Sequence, residues 1–135
     1  MCFLIHPKHN KPKIAKRKIR VYKLLTYLPK NKLRSPILGH IYEEGLQSTV
    51  ELKPLKSYYH ECKIINQGYH SYKTNKKIMV KVVYYQNKSD SANEVINKIL
   101  YTCYIPNGGI YYYNPETQEY VSNQIIITLN RYDTM

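Results

Sequence analysis

The chain has 135 residues, 43% of them hydrophobic and 22% charged, with a formal net charge of +12. That length suits one domain, and the apolar fraction suffices for a buried core, which excludes a disordered polar chain. No run approaches the roughly 18–20 consecutive apolar residues of a membrane span, and residues 1–5 are too short for the about 7–15-residue apolar core of a signal peptide, so a soluble cytoplasmic protein is predicted. The charge is segregated: residues 1–34 hold eight Lys, three Arg and no carboxylate, while everything after them carries a net +1. Segregated charge of this kind faces an anionic partner.

In chain order, residues 1–17 read as a basic extended arm, because Pro7 and Pro12 interrupt a polar stretch with no apolar period. Residues 18–135 read as a single α+β domain. Residues 18–28 alternate as a strand, with Ile19, Val21, Leu25 and Tyr27 on one face and Arg20, Tyr22 and Leu24 on the other. Lys23 interrupts the apolar face, which predicts a sheet-edge or barrel-mouth position. Residues 29–36 are a Lys-rich turn. Short strands are predicted at 40–42 and 49–52, around a turn at Gly45, and another strand at 58–65. Residues 74–86 carry both a β composition and a helical spacing of Ile78, Val82 and Tyr85 behind a possible cap at Thr74; a helix is the preferred reading. Strands follow at 95–105 and 110–113. The tetrad Asn114-Pro115-Glu116-Thr117 then has Asn first and Pro second, as a type I turn between antiparallel strands requires. Residues 124–129 form an almost continuous apolar run, predicted as a buried central strand. The predicted class is α+β: a strand-dominated antiparallel sheet, one helix and the basic N-terminal arm.

Several short motifs resemble a family of small phage and mobile-element proteins of gut bacteria. They are the Met1-Cys2 start, the run Lys11-Pro12-Lys13-Ile14-Ala15 leading into Val21-Tyr22-Lys23, Ser35-Pro36, and Gly68-Tyr69-His70-Ser71-Tyr72. The ending resembles that family too, through Cys103-Tyr104-Ile105-Pro106-Asn107-Gly108, Tyr112-Tyr113 and Glu119-Tyr120-Val121-Ser122-Asn123. The chain departs from the family's pattern at Tyr69 and Asn107, and the segment after Tyr72 lacks the family's acidic, alanine-rich helix. The resemblance implies a small accessory protein acting by binding, in host takeover or anti-defence, with a host protein complex, a nucleic acid or a nucleotide as partner. A fainter resemblance, to ADP-ribosyltransferase-like domains, rests on Tyr22-Lys23, Gly68-Tyr69-His70-Ser71, Ile105-Pro106 and Glu119. It implies an enzyme in which Tyr22, Tyr69, His70 and Glu119 line one cleft, although Lys23 stands where a cofactor contact would want His or Arg.

The candidate binding residues are Lys11, Lys13, Lys16, Arg17, Lys18, Arg20 and Lys23. Dense Lys and Arg displace condensed counterions from nucleic acid, and equally match an acidic protein surface; the bland alternative is a solvated basic tail that blunts a strand edge. Tyr22 and Tyr27 add possible stacking partners. Sixteen Tyr beside one Phe and no Trp are nevertheless first of all core and strand material. His60, Cys62 and His70 have a loose ligand spacing, but no paired Cys motif accompanies them, so neither a metal site nor a cofactor is predicted. Three cysteines at irregular spacing fit reduced thiols, with Cys62 and Cys103 as small core residues.

Overall fold

The computed structural model describes residues 3–5, 7–35, 40–56, 63–65, 67–73 and 98–131. Among these, the strands are β1 (Phe3–Ile5), β2 (Lys13–Ile14), β3 (Ile19–Leu28), β4 (Lys32–Arg34), β5 (Ile41–Glu43), β6 (Gly45–Leu46), β7 (Leu55–Lys56), β8 (Lys63–Ile65), β9 (Tyr69–Tyr72), β10 (Lys98–Ile105), β11 (Ile110–Asn114), β12 (Glu119–Ser122) and β13 (Ile126–Arg131). The helical turns among them are two short 3-10 segments, Pro7–His9 and Pro29–Asn31. The strand-dominated antiparallel sheet is therefore present, whereas the helix expected at 74–86 lies outside the described residues. No helix of the described residues is long and apolar enough to cross a membrane.

The spine of the fold is the β3–β10 pair, in continuous register from Ile19↔Ile105 to Thr26↔Lys98. From β3 the pairing runs through β4 to β5; from β10 it runs through β13 to β6. Because β5 and β6 are separated only by Glu44, the two branches meet, and β3, β4, β5–β6, β13 and β10 close into a ring. Backbone bonds from Gln47 N–H to Ile125 O (2.9 Å) and from Val50 N–H to Asn123 O (2.9 Å) extend that seam. The residues at 49–52, expected as a strand, make part of this contact without forming a strand. Side chains inside the ring come from each of its strands except β6: Val21 and Leu25, Leu33, Tyr42, Tyr101, Cys103 and Ile105, and Ile127, joined by Ile125 just before β13. Alternation with period two puts these on one face of each contributing strand, and closure lets one apolar cluster satisfy them all.

Residues 126–129 of the apolar run enter β13, which is paired on both edges, but of 126–130 only Ile127 is buried, so the strand is covered on one face and not on both. β11 and β12 form the expected hairpin, with Asn114↔Glu119 as its last pair. Asn114 Oδ1 accepts the N–H groups of Glu116 (2.9 Å) and Thr117 (3.4 Å), an Asx bond that holds the turn where the tetrad places it.

The described residues of the 1–17 segment behave differently from a free arm. Phe3 and Ile5 are 1% and 2% exposed, packed with Ile65, Tyr112 and Val121 under the small β1–β8–β7 sheet. Asn114 Nδ2 donates to Leu4 O (3.1 Å) and ties that sheet to the hairpin. Further on, β2 adds to the edge of β11, and buried Ala15 exchanges two backbone bonds with Gly108 and Gly109. The basic segment between these anchors is a loop held at both ends.

Candidate polyanion-binding surface

Residues 8–14 are all exposed, as are Lys16, Arg17 and Lys18. Nothing in 8–14 is apolar enough to bury except Ile14, and Ile14 itself is 66% exposed. At Ile19 the chain enters β3 and alternation begins, sending Arg20 outward and Val21 inward. Lys11, Lys13, Lys16, Arg17, Lys18 and Arg20 are therefore exposed along one stretch of chain that is tied to the fold at β2, Ala15 and β3.

Two of these cations are organised further by a tyrosine. The Lys18 Nζ sits 4.3 Å from the centroid of the Tyr104 ring, within cation–π range. Arg20 lies directly across the β3–β10 ladder from Tyr104. Its guanidinium hydrogen-bonds with the side chains of Tyr22 and Tyr104, which raises its pKa from an already high value. Arg20 is thus a permanent charge bracketed by two phenol rings.

Lys23 is the exception among the expected binding residues. It is 8% exposed and shares the inward face of β3 with Val21 and Leu25, opposite Tyr101 of β10. The expectation of an edge or mouth position does not hold, because both edges of β3 are occupied, by β10 on one side and by β9 and β4 on the other. On that second side Tyr22 pairs with Tyr72, and pairing resumes only at Thr26 with Arg34. At this fork β9 peels away, and the Lys23 ammonium donates to the His70 carbonyl on β9 (2.5 Å) while facing the Tyr42 ring at 5.5 Å. Burial pulls its pKa down to about 8, with the nearby Cys103 thiol acting in the opposite direction. A cation enclosed in this way has no access to a partner.

Of the four residues of the transferase-like resemblance, three share a face of the sheet and Tyr69 is on the opposite one. Cross-strand registers Tyr22↔Tyr72, Tyr72↔Glu119 and His70↔Val121 put Tyr22, His70 and Glu119 on the outward face of the sheet. Tyr69 points the other way, into the ring, where its hydroxyl donates to Ser48 O (2.6 Å). Burial pushes the Glu119 carboxyl up, yet the tyrosine meant to share its cleft is on the opposite side of β9.

His60 and Cys62 lie outside the described residues, and His70 is half-buried on β9. No group of three or more His, Cys, Asp or Glu suited to a metal forms among the described residues. Cys103 is a fully buried free thiol, as its setting in a strand run suggests.

Comparison with protein-family models, curated proteins and solved structures finds no match to this chain. The site therefore stands on its own geometry. The residue that the sequence reading missed is Tyr104. Its one signal was the register that β10 alternation implies: Cys103 and Ile105 inward, Tyr104 outward.

Proposed function

We propose that this protein works by binding, and that it engages a polyanionic partner through the surface formed by Lys11, Lys13, Lys16, Arg17, Lys18 and Arg20. The observation that carries the reading is the anchoring: these exposed cations run between buried Ala15, the β2–β11 pair and β3, so their charge is presented as a fixed surface and not as a loose tail. A fixed array loses less conformational entropy on binding than a tail does, and dense cations release condensed counterions from a polyanion. Nucleic acid is the partner that best matches this array; an acidic surface of a host protein complex is the second reading. A role as a small accessory protein of phage or mobile-element type, in host takeover or anti-defence, rests on the sequence resemblance.

Changing Lys13, Lys16, Arg17 and Arg20 together to Gln is expected to weaken binding to a fluorescent oligonucleotide about a hundredfold near physiological salt. Circular dichroism of the variant should match that of the parent, since all four side chains are exposed. Unchanged affinity in a folded variant overturns the reading.

A further inference from the structure

The outward face of the ring carries a row that charge alone does not explain. Arg20 on β3 is paired across to Tyr104 on β10, Tyr104 to Ile126 on β13, and Ile126 to Leu46 on β6. Directly paired residues share a face, so these four side chains form one transverse line over four strands. The inward neighbours confirm the orientation, because Cys103 and Ile127 are 0% exposed. On the outward line Arg20 is exposed, Tyr104 and Ile126 are half-buried, and Leu46 is 60% exposed. The line begins at the cationic surface and ends in apolar side chains.

From this juxtaposition we infer that the partner is single-stranded nucleic acid, with an unpaired base stacking on Tyr104 while Lys18 and Arg20 hold the adjoining phosphates. This rests on the polyanion reading above and narrows it. A duplex presents phosphates and keeps its base faces stacked inside, so it leaves the Tyr104–Ile126–Leu46 track unused. An unstructured polyanion such as polyphosphate has no flat apolar group to place there. A single strand has both components, a charged backbone and exposed π-faces, and aromatic platforms beside basic grooves take up such strands with little regard to sequence. The exposed Lys18 side chain covers that face of the Tyr104 ring, with its ammonium 4.3 Å from the ring centroid. A base arriving there replaces Lys18 on the ring and frees its ammonium for a phosphate.

The test compares a labelled 12-nucleotide oligothymidine, an abasic 12-mer of equal charge and a 12-base-pair duplex, each titrated with the full chain in one buffer. The oligothymidine is expected to bind about tenfold tighter than the abasic strand. Tyr104→Ala should bring the oligothymidine and the abasic strand to about equal affinity. Tyr104→Leu keeps the apolar packing without the flat ring; it should behave like the alanine variant and guards against a folding defect. Equal affinity for the oligothymidine and the abasic strand, or tighter binding of the duplex, overturns this inference and leaves the polyanion reading intact. Failure to bind any of the three overturns both.

Discussion

Replacing Lys23 by Met is expected to stabilise the protein by about 2 kcal/mol at pH 7. Burial drops the Lys23 ammonium from 10.5 to about 8, which corresponds to roughly 3 kcal/mol lost on enclosing the charged form. Methionine has similar length and no charge to desolvate. It removes the Lys23 hydrogen bond to the His70 carbonyl, a loss of about 1 kcal/mol. The sign follows from proton counting. Between pH 8 and 10.5 the unfolded chain keeps the Lys23 proton while the folded chain has released it, so stability rises with pH there. The Cys103 thiol is shifted the other way, from 9.0 up to about 11, chiefly by burial; above pH 9 the unfolded chain loses that proton first, and stability falls. Tyr42 and Tyr120, both pushed up to about 12 mainly by burial, add to the fall above pH 10. The parent should therefore gain about 1 kcal/mol between pH 8 and 9, level off, and decline beyond 10. The Lys23→Met variant should lack the rise. Urea titrations across this range read both. A variant less stable than the parent at pH 7 would contradict this account of Lys23.

Gly68→Ala should have the largest destabilising effect of any single methyl addition at a described glycine, about 3 kcal/mol. Gly68 has φ +140°, and an added Cβ would lie 2.6 Å from Val121 Cγ2 and 2.7 Å from Leu52 Cδ2. Leu52 is half-buried, whereas Val121 is fully enclosed among Phe3, Ile5, Ile65 and Tyr112. The methyl group would wedge the small sheet off the β11–β12 hairpin. Gly108→Ala serves as the comparison, since it has φ +85° but open space around the new Cβ; it should cost only about 1 kcal/mol of backbone strain. Equal losses at the two sites in urea titrations would show that steric contact at Gly68 is not what matters.

What was legible in the sequence was local. The alternation in residues 18–28 gave the correct inward face of β3 through Val21 and Leu25, and the Asn114 tetrad gave the place of the hairpin turn, which the Asn114 side chain then fixes. Six of the seven cations chosen for binding are on the surface. What was not legible depends on neighbours far away in the chain. Lys23 read as an edge residue because alternation reports a face but not the number of strands alongside it. Phe3 and Ile5 read as part of an arm because three residues carry too little period, and their partner β8 lies some sixty positions later. Closure of the ring depends on β6 reaching β13, a contact about eighty residues apart that no local pattern records. Tyr104 was hidden by abundance: among sixteen tyrosines, only cross-strand register singles out the one opposite Arg20.

The measurement that bears most directly on the central claim is the salt dependence of oligonucleotide binding by the unmodified chain, titrated between 50 and 200 mM monovalent salt. For about five phosphate contacts on a single strand, the slope of log affinity against log salt should be about −3.5. A slope near zero would mean that the basic surface does not hold the ligand through its charge, and would contradict the account.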